Sequence, residues 1–110
     1  AFFKPHRGMT EVGCWMHARR YLFKALESDE PHMGPALHLI ARLYRVEERA
    51  KALSLSADER LALRQRVSAR LIDKLHQYLL ELQPEVLPKS PSGAAVRYAL
   101  NQCVSGHQET

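Results

Sequence analysis

The stretch "SADERLALRQRVSARLIDKLHQYLLELQPEV", residues 56–86, decides the fold of this chain. Its apolar residues recur every three or four positions, which is the spacing that places side chains on one face of an α-helix. They are Leu63, Val67, Leu71, Leu75, Tyr78, Leu82 and Val86. Ser56 and Glu59 have the spacing of a capping box, in which each side chain accepts a hydrogen bond from the other residue's backbone N–H. The stretch therefore predicts one long amphipathic helix that begins at Ser56.

Helical spacing also predicts three other helices around this one. One starts at Trp15 and a second covers about residues 35–53, and Pro31, Gly34 and Pro35 are predicted to lie in the break between them. A last helix is predicted to begin near Ser92. Its apolar side consists of Ala94, Tyr98, Ala95 and Val96. The helices over 35–53 and 56–86 are joined by a short loop, so they should form an antiparallel hairpin.

The two ends of the chain do not show this spacing. Residues 1–9 read as an irregular lead-in and residues 104–110 as a disordered tail. Thr10, Val12 and Cys14 alternate with other residues, which predicts a short strand. The predicted fold class is mainly α, a helical hairpin or bundle of about four helices over residues 10–103, preceded by that strand.

Composition excludes several classes of protein. One hundred and ten residues with a net charge of +4 describe one small, mildly basic domain, or a piece of a longer chain. No apolar stretch approaches the roughly 20 residues that span a bilayer, and the first residues do not resemble a signal peptide. Cys14 and Cys103 lie far apart in sequence, and free thiols in a reducing cytosol are expected.

The sequence shows no complete active site. Cys14, His17, His32 and His38 could supply thiolate and imidazole ligands to zinc, but their spacing does not match that of a zinc finger, and no metal is predicted. A thiolate–imidazole pair of Cys14 and His17 lacks a third group to orient it. The chain contains no glycine-rich phosphate loop. No cofactor and no small-molecule substrate are therefore expected.

Basic residues are the remaining candidates. Arg19, Arg20 and Lys24 on the first helix could contact phosphates, as could the arginines of the third helix. The arginines of the third helix are Arg60, Arg64, Arg66 and Arg70. For the last three of them, the solvated face of an amphipathic helix is the favoured explanation.

Three phrases occur here in the order and approximate spacing of one family. They are "GCWMHARRYLFKAL" (13–26), "LSADERLALRQ" (55–65) and "LPKSPSGAAVRYALNQ" (87–102). With the long helix between the last two, they resemble the insertion-sequence-sixty-six family of bacterial DDE-type transposases over roughly residues 10–102.

The resemblance implies a parent enzyme with an RNase H-like core, in which three carboxylates hold divalent metal, usually magnesium, for phosphodiester chemistry. In that family two aspartates precede the "GCW" phrase and the glutamate follows "YALNQ", so this chain corresponds to the helical insertion between the second and third ligands. It would not be catalytic alone. The family usually continues with tryptophan after Gln102, whereas this chain has Cys103 followed by "VSGHQET".

The resemblance also suggests roles for single residues. Cys14 and His17 would support the catalytic floor or approach DNA, with a packing role favoured for Cys14. Arg19 and Arg20, with Lys24 beside them, are the first candidates for phosphate contacts. Lys89 and Arg97, which flank the turn into the last helix, come second.

The implied partner is transposon DNA, with a homo-oligomer as a further expectation, in the nucleoid of a bacterial cytoplasm. Two alternatives remain open at this point. The chain could be a helical module through which transposases self-associate, or a regulator derived from a broken transposon.

Overall fold

A computed structural model describes the backbone of residues 5–105 and the side chains of residues 12–103. Over this range the chain is helical and contains no strand. The helices are α1 (Pro5–Leu26), α2 (Glu30–Ala52), α3 (Ala57–Leu63), α4 (Ala69–Leu82) and α5 (Pro91–Leu100). A π-helical turn (Arg64–Ser68) joins α3 to α4, a 3₁₀ turn (Gln83–Glu85) follows α4, and a second π-helical turn (Asn101–Ser105) follows α5. The prediction of a mainly α fold is confirmed.

The predicted strand over Thr10–Cys14 is wrong, because these residues lie inside α1. The alternation extended over only three residues, which is too few to distinguish a strand from a helix. Val12 instead shares a buried face with Trp15, Ala18 and Leu22, at the spacing of a helix. Residues 5–9, predicted as irregular, are also helical, whereas residues 106–110 of the predicted tail lie outside the described residues.

The break before α2 is shorter than the sequence predicts. Only residues 27–29 separate α1 from α2, and Pro31, Gly34 and Pro35 are all helical. Pro31 lies in the first turn, where its missing N–H would have no helical partner. Pro35 lies one turn further and leaves the Pro31 carbonyl without a helical donor, but both prolines are exposed and water can solvate that carbonyl.

The long predicted helix from Ser56 exists, but it is interrupted. Its capping box is present, since Glu59 N donates to Ser56 Oγ at 3.2 Å and Ser56 N donates to Glu59 Oε1 at 2.9 Å. The π-helical turn inserts an extra residue per turn and shifts the inward face. As a result α3 buries no residue, whereas Ser68 and the α4 residues Ile72 and Leu79, which the predicted stripe did not include, are buried.

We call the segment from Ala57 to Leu82, which comprises α3, the first π-helical turn and α4, the α3–α4 rod. The hairpin prediction agrees with the contacts between α2 and this rod. Near the start of α2, His32 accepts a hydrogen bond at its carbonyl from the Tyr78 hydroxyl at 2.6 Å. Near the other end, Arg64 Nε and Nη2 donate to the two carboxylate oxygens of Glu47 at 2.8 and 2.6 Å. These contacts pair opposite ends of the two elements, so they run antiparallel.

The core lies between α1, α2, α4 and α5. Its largest fully buried apolar side chains are Trp15, Leu22, Met33, Ile40, Leu43, Leu75, Leu79 and Val96. α1 is covered by α2 on one side and by α5 on the other. In α5 the buried apolar residues are Ala95, Val96, Ala99 and Leu100, so the predicted inward position of Ala94 is wrong. This arrangement leaves one face of α1 open to solvent.

Candidate functional site

The exposed side of α1 forms a shallow, cation-rich cleft. We call this surface the basic face; it consists of Met16, His17, Arg19, Arg20, Phe23 and Lys24, around a volume of about 410 Å³. It lies opposite the buried residues of the same helix, which include Trp15, Ala18 and Leu22. Three permanent cations and no carboxylate line the cleft. The spacing that buries one side of α1 therefore gathers its basic residues on the other.

The cations of the basic face differ in how they are held. Among the described residues, Arg20 and Lys24 have neither an ion pair nor a side-chain hydrogen bond. The Arg19 guanidinium lies 5.3 Å from the ring centre of Phe23 and 5.8 Å from that of Tyr44, which is cation–π distance. Arg20 and Lys24 are thus available to an anionic partner, while Arg19 already has two aromatic neighbours.

Cys14 forms a disulfide with Cys103, so the prediction of free thiols is wrong. The two residues are 89 positions apart, yet their Cα atoms are 5.6 Å apart because α5 runs antiparallel to α1. The prediction relied on cellular compartment, which says nothing about proximity in the fold. With its sulfur in this bond, Cys14 links the two helices and is not placed as a thiolate partner of His17.

His17 lies at the edge of the basic face beside two tyrosines. Its ring centre is 6.3 Å from that of Tyr21 and 6.2 Å from that of Tyr98 on α5, and the two tyrosine rings are 4.2 Å apart. His17 is exposed, whereas Tyr98 is half-buried. The histidine therefore belongs to an aromatic cluster at the boundary of α1 and α5.

Lys89 and Arg97 lie apart from the basic face. Both side chains are exposed, and neither lines its cleft. Arg97 Nη1 donates to the Pro88 carbonyl at 2.9 Å, which holds the guanidinium against the turn before α5. The structure therefore brings together three of the five basic candidates, Arg19, Arg20 and Lys24.

A partly buried polar cluster fixes the start of α5 to the turn after α1. The Ser92 hydroxyl donates to Asp29 Oδ2 at 2.7 Å, and His32 Nδ1 lies 3.0 Å from both carboxylate oxygens of Asp29. The Ser92 hydrogen bond is the main cause of a lowered pKa for Asp29, and His32 adds to it. Burial raises the pKa of Tyr78, and the nearby negative charges of Asp29 and Glu85 add to that shift.

The comparisons with known proteins agree with the resemblance seen in the sequence. The sequence profile of the transposase IS66 family matches residues 2–105. The chain belongs to this transposase family. No curated protein and no solved structure matches the chain. Over the residues that the structure describes, no helix of this transposase segment is long and apolar enough to cross a membrane.

The metal chemistry implied by the transposase family needs three convergent ligands. Within the described part of this chain, no group of three or more histidine, cysteine or acidic residues is close enough to hold a metal ion. These residues do not fit the magnesium site of the family, and no catalytic step through that metal is assigned to them.

Sequence reasoning did not single out the aromatic residues beside the cations. Phe23 is 54% exposed, Tyr44 is 42% exposed and Tyr21 is 37% exposed. The signal was present in "RRYLFK", where Tyr21 and Phe23 bracket the buried Leu22. Successive residues on a helix are rotated by about 100° from each other, so the neighbours of a core position lie at the two borders of the exposed face.

Proposed function

We propose that this chain is the helical, non-catalytic part of a DNA transposase that contacts transposon DNA through the basic face of α1. Membership of the transposase IS66 family supports the parent activity. The observation that carries the DNA contact is the convergence of Arg19, Arg20 and Lys24 around one cleft without a carboxylate. A surface of this kind attracts phosphates and releases counterions when it binds them.

One arginine of the α3–α4 rod, Arg64, carries a charge that is not free to meet a phosphate. Arg64 donates two hydrogen bonds to Glu47, and this charge is already neutralised within the fold. The interaction also raises the pKa of Arg64. Arg20 and Lys24 have no such partner among the described residues, so a phosphate can bind them without displacing an internal ion pair.

A supporting role for the rest of the bundle is part of the same proposal. The disulfide joins α1 to the turn after α5, and the Asp29–Ser92 hydrogen bond joins the turn after α1 to the start of α5. They keep the basic face in one orientation, as backbone phosphate contacts require if they are to position DNA. In the whole transposase, these helices would pack on the catalytic core and hold the basic face towards the DNA.

Self-association is a second candidate because several large apolar side chains are exposed. Leu87 is 75% exposed and Leu53 is 58% exposed. These residues belong to different elements, the turn before α5 and the turn after α2. Sedimentation measurements over a range of protein concentrations without DNA would reveal such an association.

The test compares two double variants with the same change in net charge. Arg20→Ala/Lys24→Ala removes two cations from the basic face, while Arg66→Ala/Arg70→Ala removes two exposed cations from the α3–α4 rod. Arg19 is left in place because it touches Phe23 and Tyr44. Affinity for a labelled duplex is measured by fluorescence anisotropy at several salt concentrations. Thermal unfolding of both variants checks the fold, and exposed substitutions of this kind should change stability by less than about 0.5 kcal/mol.

We expect the basic-face variant to bind more weakly and to show a salt slope reduced by about two, since each phosphate contact contributes about 0.9. The rod variant should keep the wild-type slope. Equal losses in both variants would mean that only net charge matters. No loss in the basic-face variant would reject the proposed contact.

A further inference from the structure

The basic face of α1 is bordered by exposed aromatic rings on both sides. On the α2 side, the guanidinium of Arg19 lies against Phe23 and Tyr44. On the α5 side, Tyr21 packs on Tyr98 with ring centres 4.2 Å apart. The cations Arg20 and Lys24 lie on the surface between these borders. The charges and the rings thus share one continuous surface.

Phe23 is a large apolar side chain whose exposure the packing of the helices does not account for. It is 54% exposed, although its neighbour Leu22 is fully buried. An exposed phenyl ring gains little from the core and has no polar atom to hydrate. The guanidinium of Arg19 lies 5.3 Å from the centre of this ring, and much of the ring remains in contact with solvent. A ligand with a flat π-surface could cover it.

Duplex DNA offers no such surface to an exposed helix. In a duplex the bases are stacked on each other, and a protein meets phosphates, sugars and base edges. Unpaired nucleotides, by contrast, expose the faces of their bases. Proteins that bind single strands combine a basic track for the backbone with aromatic side chains on which the bases stack.

We propose that the basic face binds unpaired nucleotides of a DNA strand, with phosphates at Arg20 and Lys24 and a base stacked on Phe23. Tyr21 and the adjoining Tyr98 form a second aromatic border, which limits the path of the bound strand on the α5 side. From His17 to Lys24 the face is about 10 Å long at 1.5 Å per residue, so it contacts only a few nucleotides. The inference rests on the proposed DNA contact and specifies which DNA is preferred.

The test uses three labelled probes that differ in base pairing. They are a blunt duplex, the same duplex with a short thymidine overhang, and an oligothymidine strand. Wild type is compared with Phe23→Ala, with the double variant Arg20→Ala/Lys24→Ala, and with Leu80→Ala as a matched control. Leu80 is a large apolar residue on α4 that is 45% exposed, so this control removes a similar exposed side chain from a different surface. Thermal unfolding confirms that each variant is folded.

We expect wild type to bind the oligothymidine and the overhang more tightly than the blunt duplex. Phe23→Ala should weaken binding to these two probes about tenfold, which is within the usual range for one stacked base. Its affinity for the blunt duplex should change by less than twofold, and Leu80→Ala should match wild type on all three probes. The double variant should lose affinity for every probe.

The outcomes separate this inference from the proposed function. If the double variant binds every probe as wild type does, the DNA contact itself is rejected, and the inference falls with it. If the double variant weakens binding but Phe23→Ala has no effect, or the same effect on the duplex as on the single strand, only the stacking proposal is overturned. Loss of a concentration-dependent dimer in Phe23→Ala, with unchanged affinity for every probe, would instead assign Phe23 to contact between two copies of the chain.

Discussion

The basic face of α1 and the contact between α1 and α5 are built in different ways. We call the second region the α1–α5 seam; it consists of the Cys14–Cys103 disulfide, the Tyr21–Tyr98 ring contact and the Asp29–Ser92 hydrogen bond. In the seam, each of these side chains has a partner within the chain. On the basic face, Arg20 and Lys24 have no such partner among the described residues.

This difference separates the residues that stabilise the fold from those that are available for binding. A group that is paired inside the protein loses its partner when either residue is changed, so the free energy of unfolding should fall. An exposed cation without a partner contributes little to stability. Substitutions in the seam should therefore affect unfolding first, and substitutions on the basic face should affect binding first.

The largest expected effect in the seam is loss of the disulfide. Cys103→Ser should lower the free energy of unfolding by about 4 kcal/mol, because a cross-link closing a loop of this length strongly restricts the unfolded chain. The bond joins residues 89 positions apart. Urea unfolding without reductant measures the difference. Wild type in reductant should unfold like the variant, and two titratable thiols in wild type without reductant would contradict the pairing.

A close backbone approach at the start of α5 gives the next largest effect. A Cβ atom at Gly93 would overlap the Leu87 carbonyl oxygen and lie 2.9 Å from the Pro88 oxygen. Gly93→Ala should therefore cost about 3 kcal/mol, at the upper end of the usual range for overpacking. Gly13→Ala is the matched control, because Gly13 lies inside α1 and nothing is within 4 Å of its Cβ position.

Gly13→Ala should stabilise the protein by about 0.5–1 kcal/mol, since alanine favours a helix over glycine. Thermal unfolding of the two variants should therefore shift in opposite directions. Two shifts of the same sign would show that the close approach of Gly93 to the turn before α5 does not determine the stability of this region.

Helices with a regular apolar repeat could be predicted from the sequence. Positions whose structure depends on packing against another helix, or on exposure to solvent, could not. The capping box of Ser56 and Glu59 is a local pattern, and the structure contains it. The π-helical turn at Arg64–Ser68 depends on how the rod packs between α1 and α2, so no repeat within the rod reveals it. Pro35 could not be predicted either. Proline disfavours a helix interior, but Pro35 lies inside α2 on its solvent-exposed side.

The candidate site shows the same limit. Arg19, Arg20 and Lys24 are close in sequence on one helix, so their shared surface could be predicted. The Cys14–Cys103 bond and the Tyr21–Tyr98 contact join residues far apart in sequence, and only the antiparallel packing of α1 and α5 brings them together. Lys89 and Arg97 are the opposite case. The family resemblance suggested that they contact phosphates, but neither side chain lines the cleft, and Arg97 instead donates to the Pro88 carbonyl.

The smallest effect tests whether the polar end of the seam depends on the charge of Asp29. Ser92→Ala removes the hydroxyl that donates to Asp29 and should cost about 1 kcal/mol at neutral pH. The pKa of Asp29 is lowered in the folded state, so its contribution is complete above the unfolded pKa of about 4 and is lost as the pH falls through the folded pKa. The difference in unfolding free energy between wild type and variant should therefore shrink below about pH 4.

Unfolding of Ser92→Ala, Asp29→Asn and the double variant at neutral and acidic pH provides the control for that effect. Asp29→Asn keeps the size of the side chain but cannot ionise, so the cost of losing the Ser92 hydroxyl should not vary with pH in its background. Wild type should show the variation because its carboxylate is the acceptor at 2.7 Å. The same pH dependence in both backgrounds would mean that another group titrates, and the Asp29–Ser92 contact would then stabilise the seam as a neutral hydrogen bond alone.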